Sequence, residues 1–254
     1  MRLKILAGLV LMLLVPAHAA RDGSMPSGFA YLRDVAPDIV QEMRYHGWHN
    51  FMGRPVKGYE APECVLAADA AKALKAANDE LNRSGFGLKV YDCYRPKRAV
   101  QDFVDWSAKT EDQAAKAEFY PNVDKKDFFE LGYVAKKSGH SRGSTVDVTI
   151  VVLPLRPGET YTPGQELVPC TAPYDVRFND GSIDMGTGFD CMDVLSHPSS
   201  TEVPLVAQQN RMLLRKIMEK HGFVPYEQEW WHFTLKKEPF PDTYFDFPVT
   251  APGN

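Results

Sequence analysis

The stretch that most limits what this chain can fold into is Ser138-Gly-His140-Ser-Arg142-Gly143-Ser-Thr-Val-Asp147, followed at once by Val148-Thr-Ile150-Val-Val. Its glycines mark a loop, and the β-branched run behind them marks a strand. Together they place an imidazole and a carboxylate seven residues apart where a loop feeds a strand. A second piece, Glu229-Trp-Trp-His232, lies about eighty-five residues further on and again leads into strand-like sequence, Phe233-Thr-Leu235. Two histidines, an aspartate and a spare glutamate are the inventory of a catalytic zinc site with its general base.

The first nineteen residues stand apart. Arg2 and Lys4 make a basic start, Ile5 to Val15 an apolar run, and Ala17-His18-Ala19 a small-residue cleavage site, the pattern of a signal peptide. An apolar run of about eleven residues is too short to remain as a membrane-spanning helix. The expectation is a chain exported to the periplasm, with no stable membrane span and a mature domain over 20–254. That leaves about 235 residues, enough for a substantial core. Of the 29 basic residues, 27 then face 33 acidic ones, a net charge near −6. No basic stripe points to nucleic acid, and oligomeric state leaves no mark in the sequence.

All four cysteines fall in the mature part, and an even count in an exported chain suggests disulfides. Four cysteines allow three pairings. The favoured set is Cys170–Cys191, closing a loop rich in proline and glycine, and Cys64–Cys93, tying a helix start to the next strand. A closed loop of about twenty residues is worth roughly 3 kcal/mol in the chain-entropy model.

Along the chain, residues 20–62 read as irregular or short-strand sequence. His46 and His49, three apart, invite a metal reading but lack a third ligand nearby, and packing histidines are the alternative. The spacing of Leu66, Ala70, Leu74, Ala77 and Leu81 predicts a helix over 65–83, stopped by Gly85. Leu88–Tyr94 reads as a strand. Pro96 then suits the first turn of a helix with Val100, Phe103 and Val104 on its face. Residues 154–190 show little periodicity, and so long a loop in a compact domain is usually functional. A third helix is expected over 203–221, with Leu213, Leu214, Ile217 and Met218 as its apolar residues and Gly222 as its cap. The tail from Pro239 is expected to lie along the surface without forming an element. Helices grouped around antiparallel-looking strands, with no βαβ rhythm, predict a single α+β domain: a central, mainly antiparallel sheet flanked by helices, with the zinc site in a cleft.

His140, Asp147 and His232 are the expected metal ligands, leaving a fourth position open for water. Glu229 is the expected base, taking a proton from that water and passing it to the leaving amine. Arg95, at a strand-to-helix corner, can stabilise the oxyanion; a surface ion pair is its plainer reading. Residues three apart on a regular strand face opposite sides. Glu229 and His232 can therefore share a site only if Glu229 lies on the turn before the strand, which is the expectation, or if a bulge intervenes.

These motifs resemble the signature of the zinc D-alanyl-D-alanine dipeptidases, the VanX type, within a wider metallopeptidase group that includes D,D-carboxypeptidases. The likeness extends to Trp48-x-Asn50-Phe-x-Gly53, Asp92-x-Tyr94-Arg-Pro-Lys-Arg-Ala-Val100, Phe189-Asp-x-Met-Asp193 and Tyr244-Phe-Asp-Phe-Pro248, so it covers nearly the whole mature chain. The resemblance implies one zinc ion on His140, Asp147 and His232, with Glu229 as base and Arg95 stabilising the transition state. It further implies that Asp190 and Tyr45 hold the free ammonium of a dipeptide, and that Ser138 lies near its carboxylate. An export signal, four cysteines and an extended 154–190 loop depart from the cytoplasmic resistance enzymes of the family. They bear on substrate range more than on metal chemistry.

Three functions follow for comparison. The first is a periplasmic dipeptidase that hydrolyses D-Ala-D-Ala to D-alanine. The second is a D,D-carboxypeptidase trimming peptidoglycan stems, which needs an open groove and no ammonium trap. The third is a zinc-binding module without activity, which needs neither Glu229 nor Arg95.

Overall fold

The computed structural model of the chain describes residues 24–253, so the expected signal peptide lies outside the described residues. In chain order the elements are β1 (Phe29–Tyr31), α1 (Leu32–Val35), β2 (Val40–Gln41), β3 (Val65–Ala67), α2 (Ala68–Asn82), β4 (Phe86–Asp92) and α3 (Lys97–Ser107). There follow α4 (Lys116–Phe119), β5 (Thr145–Val152), α5 (Leu205–Lys220), β6 (Phe223–Tyr226) and β7 (Glu229–Leu235). Five strands form one sheet in the order β2-β4-β5-β7-β6, and β1 and β3 form a small second one. Within the large sheet only β2–β4 is parallel. The α+β expectation, with a mainly antiparallel central sheet, holds.

The β-branched run became the central strand, β5, between β4 and β7. Strand alternation divides its side chains between two environments. Val146, Val148 and Ile150 are buried in a core cluster with Leu74, Ala77 and Leu81 of α2 and Leu214, Ile217 and Met218 of α5. Asp147 and Thr149 point to the other face and are equally buried. The helices thus cover one face, and the site must lie on the other. Leu213, expected on the apolar stripe of α5, is exposed instead.

Local differences have physical causes. The predicted helix starts at Ala68, because Val65–Ala67 is held extended by pairing with Phe29–Tyr31. Pro96 stands just before α3 as an extended cap residue. The tail forms no element, as expected, yet it does not merely line the surface. Phe247 and Val249 are buried in a second apolar cluster with Tyr45, Phe103 and Trp106, and Val249 pairs with Tyr59. The cysteines pair as favoured, Cys64 with Cys93 and Cys170 with Cys191, at Cα separations of 5.3 and 5.6 Å. Among the described residues, no helix is long and apolar enough to cross a membrane.

Candidate active site

Sheet register brings the chemistry together. Asp147 of β5 stands opposite Asp92 on β4 and opposite His232 on β7. His140 comes from the short 3-10 turn Gly139–Arg142, capped by the Ser138 side chain, which accepts from the His140 N–H at 3.3 Å. Gly143 closes that turn at φ +79°, with the Phe29 ring so near that a Cβ would collide with it. Only glycine both adopts this backbone and leaves the ring its place.

Glu229 does not lie on the turn before its strand, contrary to expectation. It is the first residue of β7, and the pairing there is irregular: Tyr226 faces Glu229 while the neighbouring Pro225 faces Phe233. The extra residues Trp230, Trp231 and His232 break the two-residue alternation, so both tryptophans are buried. Glu229 and His232 then meet, Oε2 to Nδ1, at 3.4 Å.

The three expected ligands converge. His140 Nε2 lies 3.3 Å from Asp147 Oδ1, His232 Nδ1 lies 3.2 Å from the same oxygen, and the two ring nitrogens are 3.3 Å apart. Donors placed tetrahedrally about zinc at about 2.0–2.1 Å stand about 3.3–3.4 Å from one another. The triad already has that spacing. Asp147 Oδ1 is buried and accepts no hydrogen bond, an orphaned oxygen that a cation would satisfy. The orientation of His140 is set from behind, where Nδ1 donates to the Cys93 carbonyl at 2.7 Å and leaves Nε2 free as a ligand atom. Nitrogen and carboxylate donors with an open side suit a zinc ion. Among the described residues, this is the grouping found that could hold a metal.

Arg95 is not a surface residue. It is largely buried, donates to Asp92 Oδ2 at 2.9 Å, and reaches to 3.7 Å from Asp147 Oδ2. Asp92, missed in the sequence, also accepts from Tyr59 at 2.7 Å and approaches His140 Nδ1 at 3.4 Å. It sits at the strand end just before Tyr94-Arg95 and opens one of the family-like segments, and those two signals could have marked it.

The carboxyls respond differently to burial. Burial alone would raise Asp147, but the two imidazoles outweigh it and hold the group well below the usual range. For Glu229 burial wins, helped by Asp147 against His232 and Arg95, and its carboxyl is pushed up to about 7. Asp190 is raised too, by burial and then by Asp147. Its side chain accepts from the Tyr45 hydroxyl at 2.7 Å, so the pair implied by resemblance does meet. Among the described residues, Asp190 is the non-glycine residue at positive φ (58°), a conformation kept only where the surroundings enforce it. Tyr45, Arg95, Ser138, Asp147, Asp190 and Glu229 all border one cleft of about 260 Å³. That volume lies just below the usual range for ligand pockets, which starts at about 300 Å³.

His46 and His49 form no metal site. His49 is buried, its Nδ1 2.7 Å from an Arg44 nitrogen and its Nε2 2.8 Å from a Glu118 oxygen.

Residues 25–156 and 175–250 match the profile of the peptidase M15 family described as D-ala-D-ala dipeptidase. The chain belongs to that family. It is 40% identical over 225 residues to a D-alanyl-D-alanine dipeptidase of Enterococcus faecium, covering 89% of this chain and 100% of that protein. A D-alanyl-D-alanine dipeptidase of Streptomyces coelicolor is 41% identical over the same shares. One from Escherichia coli is 33% identical, over 79% of this chain and 81% of its own length. The family is a metallopeptidase family, in keeping with the His140–Asp147–His232 triad. Its profile passes over residues 157–174, inside the long loop.

Proposed function

We propose that the mature chain, 20–254, is an exported zinc dipeptidase that hydrolyses D-Ala-D-Ala to two molecules of D-alanine. The observation that supports this most is one small cleft bordered by Asp147 and His232 of the triad, by Glu229 and by the Tyr45–Asp190 pair, with His140 buried directly behind Asp147 and His232. A zinc ion, one per chain, held by His140, Asp147 and His232 would supply Lewis acidity toward water and the scissile carbonyl.

The chain's own residues do the rest. Glu229, balanced near neutrality by its burial, takes the proton of the attacking water and delivers it to the leaving amine as the C–O bond forms and the C–N bond breaks. Arg95, oriented by Asp92, answers the negative charge growing on the carbonyl oxygen. Asp190, raised by its burial and by Asp147 and Glu229 against the weaker pull of Arg95, gains a direct ionic partner in the substrate's free ammonium. Ser138, bordering the cleft, is assigned to the carboxylate side.

An N-acylated or longer peptide would leave Asp190 buried and unpaired, a costly mismatch. This disfavours the D,D-carboxypeptidase reading. An inactive zinc module would need neither Glu229 nor Arg95. Export to the periplasm rests on the pattern of residues 1–19 and agrees with two disulfides.

The test is an assay of purified mature protein on free and N-acetylated D-Ala-D-Ala, with and without a zinc chelator. Cleavage of the free dipeptide alone, abolished by the chelator and restored by zinc, is expected. Turnover of the acetylated form in preference would overturn the dipeptidase assignment, and chelator-resistant turnover would overturn the metal mechanism.

A further inference from the structure

The segment 157–174, which the family profile passes over, does not border the active cleft, yet it grips the neighbours of both members of the Tyr45–Asp190 pair. On one side, Cys170 is bonded to Cys191, the residue after Asp190. Around this bond, the Gly188 N–H donates to the Cys170 carbonyl at 2.9 Å, the Cys170 N–H donates to the Glu118 carbonyl at 2.9 Å, and the Met192 N–H donates to the Phe119 carbonyl at 2.8 Å. On the other side, the Tyr161 ring stacks on His49 at 4.3 Å with the planes 2° apart. His49 is joined to Arg44, the residue before Tyr45, and to Glu118. Both routes therefore meet at Glu118.

We propose that residues 157–174 are an outer clamp that sets the geometry of the Tyr45–Asp190 pair, with Cys170 and Cys191 as positioning residues on one arm and Tyr161 on the other. This rests on the assignment of that pair to the substrate's ammonium. The left-handed backbone of Asp190 gives the clamp something to hold: aspartate adopts φ 58° more readily than most side chains, and held flanks fix it there. A covalent bond at the next residue holds one flank, and hydrogen bonds at Gly188 and Met192 hold the segment on either side. The Tyr161 arm is weaker, since the Tyr45 ring also packs on Phe51 and Phe103. The hydrogen bonds, the disulfide and the ring stack that make the clamp involve neither Glu229 nor His140, Asp147 or His232, so its effect falls on binding and not on the chemical step.

The experiment compares the wild type with C170S/C191S and with Y161A, each zinc-loaded, on free D-Ala-D-Ala. For C170S/C191S the expected result is a KM raised about tenfold, a loss of about 1.4 kcal/mol in binding, with kcat within about twofold and full zinc content. For Y161A a KM raised about threefold is expected. A lower Tm with KM unchanged would overturn the clamp, as would a fall in kcat at constant KM. Should C170S/C191S fail to fold, Y161A decides alone by the same criteria. Hydrogen exchange at Gly188–Met192 separates this from failure of the functional assignment. Faster exchange there in C170S/C191S supports the clamp even if the wild type ignores the free dipeptide, and unchanged exchange overturns it whatever the substrate.

Discussion

Asp147 and Asp180 lie against the same face of the sheet, the side away from α2 and α5, and both are nearly sealed from water, with side chains 2% and 11% exposed. Burial should raise both carboxyls, and in both it is overcome. The partners that overcome it differ. Asp180 is paired by fixed cations, Lys89 at 3.2 Å and Arg44 at 3.4 Å, and is saturated with hydrogen bonds from Ser182 and Tyr91. Asp147 is met by two imidazoles, and one of its oxygens accepts no hydrogen bond. A buried carboxylate with every lone pair used is a structural rivet; one left with an orphaned oxygen between two imidazoles fits a bound cation. Asp180 fastens the 154–190 loop to β4, and Asp147 keeps an oxygen that a cation would satisfy.

The sharpest way to break this contrast is to change the metal side. D147N should lose stoichiometric zinc and reduce kcat/KM by at least about 10³-fold, because it removes a ligand. E229Q should keep zinc, measured by metal analysis of the purified variant, while kcat falls by about 10²–10⁴, the usual worth of general acid–base catalysis. If E229Q lost the metal as well, Glu229 would be a ligand and the division of labour between it and Asp147 would collapse.

Next in size is the rivet. D180A removes one of the two carboxylates that Lys89 and Arg44 share, Glu42 remaining at 2.7 and 2.6 Å, and leaves the buried Tyr91 hydroxyl without its acceptor, at a cost of about 2 kcal/mol. For a chain of this length that is a fall of roughly 4–8 °C in Tm. Zinc content and kcat of the folded fraction should stay as in the wild type. A D180A protein of normal Tm but reduced zinc content would erase the distinction between the two carboxylates.

The two sites also differ in how far the sequence revealed them. The metal side was legible because its residues lie at element boundaries that local signals mark: glycines before β5, an aromatic run opening β7. What the sequence misjudged there was the geometry of β7, since a bulge depends on how a strand pairs and not on its composition. The three long helices were likewise readable from periodicity, and the cysteine count announced disulfides, whose favoured pairing rested on the loops they close. The start of α2 was not, because pairing with β1 overrides the helical spacing of Leu66. The rivet left no trace. Arg44, Lys89 and Asp180 are separated by tens of residues, and nothing local in any of them announces a buried ion network. Tyr45 and Asp190 came from family resemblance alone, for the same reason.

The smallest effect concerns acid. The folded-state pKa of Asp180 is depressed below its unfolded value of about 3.9. A carboxyl shifted in that direction contributes stability that is fully present above the unfolded value and is lost as the pH falls through the folded one, because the unfolded chain then binds the extra proton. The wild type should therefore lose more stability between pH 7 and pH 3 than D180N does. The difference should be on the order of 1–2 kcal/mol, read as the change in urea midpoint at the two pH values. Asp147 is shifted the same way, but it is present in both proteins, so subtracting the two acid limbs removes it. Identical limbs would mean that Lys89 and Arg44 hold Asp180 no better than water does, and that the loop is fastened to β4 by something else.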